Sequence, residues 1–378
     1  MNDARLASGL AIHFGALDDP RVTGRCAYPL LDLIVIAICA SITGAESWVE
    51  VETFARAQRD WLSRFVDLSA GIPSHDTFGR VFALLDAAQF HQSFSGWIQA
   101  VFVKTDGEII AIDGKTSRRS HDKGIGKAAL HLVSAWACGN GVVLGQVATD
   151  VKSNEITAIP ELLRVLDVTG CIVTIDAMGT QKEIAKQIRQ QEADYVLALK
   201  ENQGRLYTTT AELFAYGEQT AFAHLDVQTC QTVNKDHGRI EIRRCQALRD
   251  ARLLASFQAQ GWTDLQTLLR LQRERRFADR VETETAYYIS SLANDAARLL
   301  TATRSHWQIE NQLHWVLDVV FREDDARIRE GNAAENMAVL RHVSLNILKK
   351  DTSKGSVRTK RYRAALDTTF LESLLSQV

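Results

Sequence analysis

Five short apolar runs between residues 108 and 200 constrain this chain most. They read EIIAID (108–113), HLVSAWACG, VVLGQVATD, CIVTIDA (171–177) and DYVLALK. Each has strand length and too few residues for a buried helix. The second and third flank Gly139-Asn140-Gly141, a hairpin turn signal. ITAIPELLRVL and KEIAKQIRQQ, which separate the later runs, have helical period instead. The order is strand, strand, strand, helix, strand, helix, strand. Antiparallel strands can be joined by tight turns, whereas parallel ones need a crossover. The segment is therefore expected to form a mixed α/β sheet with helices on its faces.

The flanking regions read differently. In the first hundred residues Pro29 opens LLDLIVIAICASI, WVEVETFARAQRDWL follows, and IPSHDTFGRVFALLD starts at Pro73 and Ser74. Phe78, Val81, Phe82 and Leu85 then share one helical face. The apolar stretch Leu33 to Ala45 is shorter than the roughly 20 residues a membrane span needs, so a buried helix is expected there. Short helices joined by turns suit either a DNA-reading unit or a domain that only packs. From about 204 to 292 the texture is β-rich, with a turn at Asp236-His237-Gly238 and strand-like LQTLLRLQRERR and TETAYYISSL. Helices return at NDAARLLTATR, SHWQIENQLHWVLDVVF and NAAENMAVLRHVSLNILKK. The 378 residues fit two or three domains. The expected division is a helical domain over 1–100, an α/β core over 101–203 and 293–350, a β-rich insertion over 204–292, and a basic tail over 351–378.

Forty-four Lys and Arg against 46 Asp and Glu give a net charge of -2, which excludes nucleic-acid binding by bulk positive charge. Local clusters remain: Lys115, Arg118, Arg119, Lys123 and Lys127; Arg270, Arg273, Arg275 and Arg276; and Lys349, Lys350, Lys354, Arg358, Lys360, Arg361 and Arg363. Such sets grip phosphate backbones, or merely solvate a face. The six Cys form no CxxC pair, consistent with reduced thiols in a cytosolic protein.

Asp113 and Asp176 each end an apolar run. If those strands are neighbours, about 4.8 Å apart, the two carboxylates can share a cation; otherwise each only starts a turn. His306, Glu310, His314 and Asp318 recur at steps of four and form one stripe on a helix. Glu310 would complete a carboxylate triad, or His306, Glu310 and His314 would bind zinc, or the stripe would be a solvated face.

Several segments together resemble the H-repeat-associated DDE-type transposases of bacterial insertion sequences. They are IIAIDGKTSRRS, LHLVSAWACGNGVVLGQVATDVKSNEITAIPELL, IVTIDAMGTQKEIAKQI, YVLALKENQ, HGRIEIRR and RSHWQIENQLHWVLDVVFRED. DPRVTGRCAYPLLDLI and IPSHDTFGRVFALLD resemble the family's N-terminal associated domain, and KGSVRTKRYRAALD its C-terminal part. The resemblance implies a ribonuclease-H-like catalytic domain in which Asp113, Asp176 and Glu310 hold two Mg²⁺, with Mn²⁺ able to substitute. It implies cutting of double-stranded DNA at element ends and joining to target DNA, by a homodimer, in the bacterial cytoplasm and at the nucleoid. The residues expected to contact DNA are Lys115, Arg118, Arg119, Arg243, Arg275, Arg276, His306 and Asn311. Trp262 or Trp307 would stack on an unpaired base, or pack in the core. Related transposases carry a Tyr, Arg, Glu, Lys signature around the catalytic Glu. Aligned on Glu310, this chain has Thr303, His306 and Leu317 at the other places, with Arg304 out of register. The family's end-phosphate contacts are therefore not carried over. A nuclease that cuts without joining, or a DNA-binding remnant without catalysis, would share most of this pattern.

Overall fold

The apolar runs pair in the order their connections require. A computed structural model of the protein describes residues 8–22, 24–102, 105, 107–121, 128–149, 155–236 and 238–377. The first five strands are β1 (Ile109–Thr116), β2 (His131–Ala137), β3 (Val142–Ala148), β4 (Ile172–Ile175) and β5 (Asp194–Leu199). β2 lies antiparallel to both β1 and β3, while β1, β4 and β5 run parallel. The resulting order, β3-β2-β1-β4-β5, is the ribonuclease-H-like arrangement. Because β4 is buried on both faces, its residues Ile172, Val173, Thr174 and Ile175 do not alternate.

The region from 204 to 292 extends this sheet. β6 (Asp226–Asp236), β7 (Arg239–Arg249), β8 (Thr267–Arg276) and β9 (Val281–Ser290) form an antiparallel set. β9 pairs antiparallel with β5, Val196 opposite Ser290, so one nine-stranded sheet runs through core and insertion. The strands expected around Asp236-His237-Gly238 form, although His237 itself lies outside the described residues.

Helices cover both ends of the chain. The N-terminal set is α1 (Ser8–Phe14), α2 (Leu30–Thr43), α3 (Trp48–Ala57), α4 (Arg59–Leu62), α5 (His75–Leu84) and α6 (Ala87–Val101). Their starts follow the sequence. Ser47 and Glu50 close a capping box on α3, and Ser74 and Asp86 accept the Thr77 and Gln89 amides at 3.3 and 2.9 Å. α2 is apolar almost all round, which suits a helix enclosed by others. Among the described residues no single helix is long and apolar enough to cross a membrane.

Within and after the sheet come α7 (Glu155–Val165), α8 (Lys182–Gln190), α9 (Arg205–Gln219), α10 (Ala251–Ala259), α11 (Ala296–His306) and α12 (Trp315–Val319). α13 (Ala333–Lys350), α14 (Val357–Leu366) and α15 (Thr368–Leu375) complete the chain. α13 stitches the parts together. Its Asn336 amide donates to Phe82 O and Leu85 O, and its Asn346 brackets the Val143 backbone at 2.8 Å on both sides.

The C-terminal segment differs from the expected basic tail. It folds as α14, packed against α2 and α13, and α15, packed against α14 and α13. Two of its cations, Lys360 and Arg361, are used in packing, while Lys354, Arg358 and Arg363 are exposed. Arg361 donates to Ser41 O at 3.0 Å and to Val320 O, and its guanidinium lies 4.1 Å from the Phe321 ring centre. Lys360 pairs with Asp351 at 3.0 Å. The Trp61 indole on α4 donates to Glu372 on α15 at 2.7 Å. The apolar face of α15, Phe370, Leu371, Leu374 and Leu375, explains the docking.

Two buried histidines give the fold an acid limit. Burial pushes His91 down to about 4 and His342 to about 3, so both are neutral in the folded chain. Below about pH 6.5 the unfolded chain takes up these protons first, and stability falls as pH drops toward 4 and 3. Among the described residues neither ring nitrogen of His342 has a hydrogen-bond partner. His342→Leu is therefore expected to raise the melting temperature at pH 5 and to change it much less at pH 8. An equal change at both pH values would show that packing, rather than the imidazole, is at issue.

Candidate active site

Asp113 and Asp176 reach the same level at the rim of the sheet. The parallel β1–β4 pairing ends at Ile112 and Ile175, so Asp113, where β1 runs on beside β2 alone, and Asp176, which follows β4, lie side by side. Asp176 turns the chain as well: its Oδ1 accepts from the Met178 and Gly179 amides at 2.9 and 3.2 Å. The turn-starting role and the carboxylate-pair role thus coexist in one residue.

Glu310 arrives from the other side. The segment 306–319 is not the unbroken α-helix its spacing suggests. α11 ends at His306, a π-helical turn spans Glu310–His314, and α12 follows. Such turns widen a helix and often mark functional sites. Here the turn brings both Glu310 and His314 to Asp113. His314 Nδ1 lies 3.4 Å from Glu310 Oε2 and 3.7 Å from Asp113 Oδ2. His314 is buried, and its Nε2 has no hydrogen-bond partner among the described residues. His306 belongs to the same neighbourhood but faces β4, with Nδ1 3.0 Å from Thr174 Oγ1. Burial lowers its pKa, although Asp176 and Glu310 pull the other way. His306 is thus turned toward β4, beside the carboxylates. Asp318 points away to Lys115.

Asp113 is the hub of the cluster. One ligand atom each from Asp113, Glu310 and His314 lie within 4.8 Å of one another, and the same holds for Asp113, Glu155 and Asp176. Burial, then the charges of Glu310, Asp176 and Glu155, push Asp113 up to about 8. Glu310 is shifted down, chiefly by its hydrogen bond with His314. Without a cation such a group of acids repels itself. An oxygen-rich set with one imidazole suits Mg²⁺ or Mn²⁺. Zinc bound by His306, Glu310 and His314 from one helix does not match this grouping, because His306 is turned to Thr174.

Glu155 and its support escaped the sequence reading. Glu155 is the first residue of α7 and its carboxylate lies 3.0 Å from His131 Nε2. One signal was present: Gly114 inside a strand, between Asp113 and Lys115, marks a close approach. A Cβ there would lie 2.1 Å from Glu155 Oε1 and 2.6 Å from His131 Nε2.

The basic residues divide into two groups. Lys115, expected at a phosphate, is enclosed by carboxylates, with Asp318 Oδ1 and Glu323 Oε2 both at 2.7 Å and Asp324 at 3.6 Å. Its side chain is only 11% exposed, so it serves the fold. Arg118 and Arg119 are exposed beside Asp324 and Asp325. Lys123 and Lys127 lie outside the described residues. On the other side of Glu310, a cleft of about 810 Å³ runs between the insertion strands and α11. Arg239, Arg243, Arg273, Arg275 and Arg304 line it, with Glu241 the one acid among its lining residues, and it reaches Asn311. Arg243 is shifted down by burial and by Arg304, Arg273 and Arg275, although Glu241 opposes this. Such crowding of positive charge would be relieved by an anion. Arg276 lies outside the cleft lining and pairs with Glu274. Trp262 is core, whereas Trp307 lies in the cleft, 47% exposed, with the Arg273 guanidinium 5.1 Å from its ring centre.

The strand-end acids, the late helix and the sheet order are those of a DDE nuclease fold, and sequence comparison agrees. The family model described as Transposase DDE domain matches residues 104–347, and one described as DDE_Tnp_1-associated matches residues 11–98. The chain belongs to the DDE transposase family. It is 43% identical to the Escherichia coli O157:H7 protein named "Putative transposase YncI" over 371 residues, 96% of this chain and 93% of that protein. It is 41% identical to the Escherichia coli K12 protein named "H repeat-associated putative transposase YhhI" over 374 residues, 96% of this chain and 97% of that protein. A K12 protein named "Inactive transposase YbfQ" matches at 38% over 69 residues, 18% of this chain and 82% of that protein. A solved piggyBac transposase synaptic complex with hairpin DNA overlays with a TM-score of 0.42 at 10% identity, covering 99% of this chain and 78% of that chain. That likeness is too low to carry an argument.

Proposed function

We propose that this protein cuts double-stranded DNA at the ends of an insertion sequence and joins the freed ends to target DNA. The observation that carries the reading is Asp113, shared between two groups of metal-ligating side chains, one with Asp176 and one with Glu310, in a chain of the DDE transposase family. Asp113, Asp176 and Glu310 would hold two Mg²⁺, or Mn²⁺ in their place. When bound, the ions supply Lewis-acid stabilisation of the reacting phosphate and a lowered pKa for the attacking water or hydroxyl. The protein's own part is to hold the carboxylates together and to bring the strand to them.

Arg243, Arg275 and Asn311 line the arginine cleft and would grip the end duplex, with Trp307 beside Asn311 offering an exposed ring to an unstacked base. Arg118, Arg119 and Arg276 would contact outer phosphates. Reading of the end sequence falls to the N-terminal helices, and coordinated cutting of two ends calls for a homodimer on DNA. The protein would act in the bacterial cytoplasm, at the nucleoid when bound.

The direct test is cleavage of a labelled duplex carrying the element's terminal repeat in Mg²⁺, Mn²⁺ and EDTA, with Glu310→Ala beside the wild type. Metal-dependent cutting at the repeat boundary, lost in the variant, is expected. Cutting without strand transfer from a pre-cut end would reduce the activity to that of a nuclease. Binding without cutting under every condition would leave a regulator. In binding assays the affinity for the end duplex should fall steeply with salt, and Arg243→Ala should lower the slope of log K against log salt by about 0.9. A flat salt response would remove the cleft from the DNA path.

A further inference from the structure

We infer that Glu155 is a fourth carboxylate of the metal site, serving the ion between Asp113 and Asp176. The inference rests on the two-ion reading above and adds a residue outside the triad. Glu155 places a ligand atom within 4.8 Å of those of both aspartates. It comes from the first turn of α7, on a different element from either of them.

The carboxylate is held from behind. His131 Nε2 sits 3.0 Å from Glu155 Oε1, and His131 Nδ1 sits 2.7 Å from Thr116 Oγ1. Each ring nitrogen of His131 thus has a partner, and an N–H on Nε2 donates to the Glu155 carboxylate. An imidazole of that kind fixes a ligating carboxylate while leaving its remaining lone pairs for a cation. The side chain of Glu155 is 13% exposed, so it is enclosed rather than swinging in solvent. Gly114 is the second sign. A Cβ at 114 would strike Glu155 Oε1 at 2.1 Å, so the residue after Asp113 is bare where the carboxylate crosses β1. The same Cβ would lie 2.6 Å from His131 Nε2, so the bare position lets the carboxylate and the imidazole behind it pass over β1 together. Four carboxylates also balance the charge of two divalent ions, whereas three leave an excess positive charge in a half-buried cleft.

The experiment is a Mn²⁺ titration of the full-length protein without DNA, reading free Mn²⁺ by electron paramagnetic resonance. Wild type, Glu155→Gln and Glu310→Gln are compared, with circular dichroism melts as the folding control. Wild type is expected to take two ions. Glu155→Gln should weaken one of them at least about tenfold and leave the other unchanged, and Glu310→Gln should weaken the other. Gly114→Ala, which displaces the Glu155 carboxylate, should copy Glu155→Gln. If Glu155→Gln does not fold, Glu155→Asp carries the test, with the same single-ion weakening expected. Two ions bound with wild-type affinity in the Glu155 variant would overturn the fourth-ligand assignment and leave the triad standing. A wild type that binds no Mn²⁺ would overturn the two-ion reading and this inference together.

Discussion

Asp113→Asn is expected to lower metal-dependent end cleavage by at least about 10³-fold while DNA binding in EDTA stays within about twofold. The size of the effect follows from position. Asp113 alone belongs to both groups of ligating atoms, so its loss removes a ligand from each ion at once. Asp176→Asn and Glu310→Gln each remove one. Stability should move the opposite way. In EDTA at pH 8 the Asp113→Asn variant is expected to melt above the wild type, because the enclosed negative charge beside Glu310, Asp176 and Glu155 is gone. Added Mg²⁺ should then raise the melting temperature of the wild type and do little for the variant. A variant that cuts at wild-type rate would remove Asp113 from the chemistry. One that melts lower in EDTA would mean that the carboxylate is structural.

Different parts of the site were legible in the sequence for different physical reasons. The kinds of connection were readable, because Gly139-Asn140-Gly141 dictates a hairpin and the helical segments between the later runs dictate crossovers. Whether Asp113 and Asp176 meet depended on β1 and β4 being neighbours, which connection types alone leave open and the sheet pairing supplies. Glu155 was not readable, because nothing local distinguishes an acid in the first turn of a helix from one that merely suits the helix dipole. Its meaning depends on Gly114, far earlier in the sequence and on β1. The π-helical turn was hidden too: steps of four from His306 to Asp318 describe an ideal α-helix, and only the packing at Glu310–His314 widens it. The C-terminal segment misled in another way. Charge density between residues 349 and 363 suggested a basic tail, while the Lys360 head sits on carbonyls at the end of α13 and the Arg361 head on carbonyls of α2 and just past α12, their stems packed beneath.

Lys115→Met is expected to cost about 3–5 kcal/mol of folding stability, an effect no phosphate contact would produce. Lys115 stands two residues after Asp113 and pairs with Asp318 and Glu323, both at 2.7 Å. Glu323 is almost wholly buried, and Arg341 approaches its other oxygen at 3.5 Å. Burial would raise the Glu323 pKa, yet Lys115 and Arg341 outweigh it and hold it at about 2. Burial likewise opposes the charge on Lys115, and the attraction of Glu323 and Asp318 prevails, raising its pKa. Removing the ammonium leaves two carboxylates facing each other with one cation where there were two. The consequence reaches the site, since this cluster ties the end of β1 to the chain that follows Glu310. Lys115→Met should therefore lose cutting together with stability, and should leave the salt slope of DNA binding unchanged. A phosphate contact would give the reverse pattern, with stability kept and the slope reduced by about one. Urea unfolding and a salt series on the same variant separate the two. Glu323→Gln supplies the companion sign check. The Glu323 carboxylate stabilises the fold above its unfolded pKa, near 4.5, and that contribution is lost as pH falls toward 2. The difference in stability between wild type and Glu323→Gln should accordingly be full at pH 7 and shrink steadily below pH 4.5.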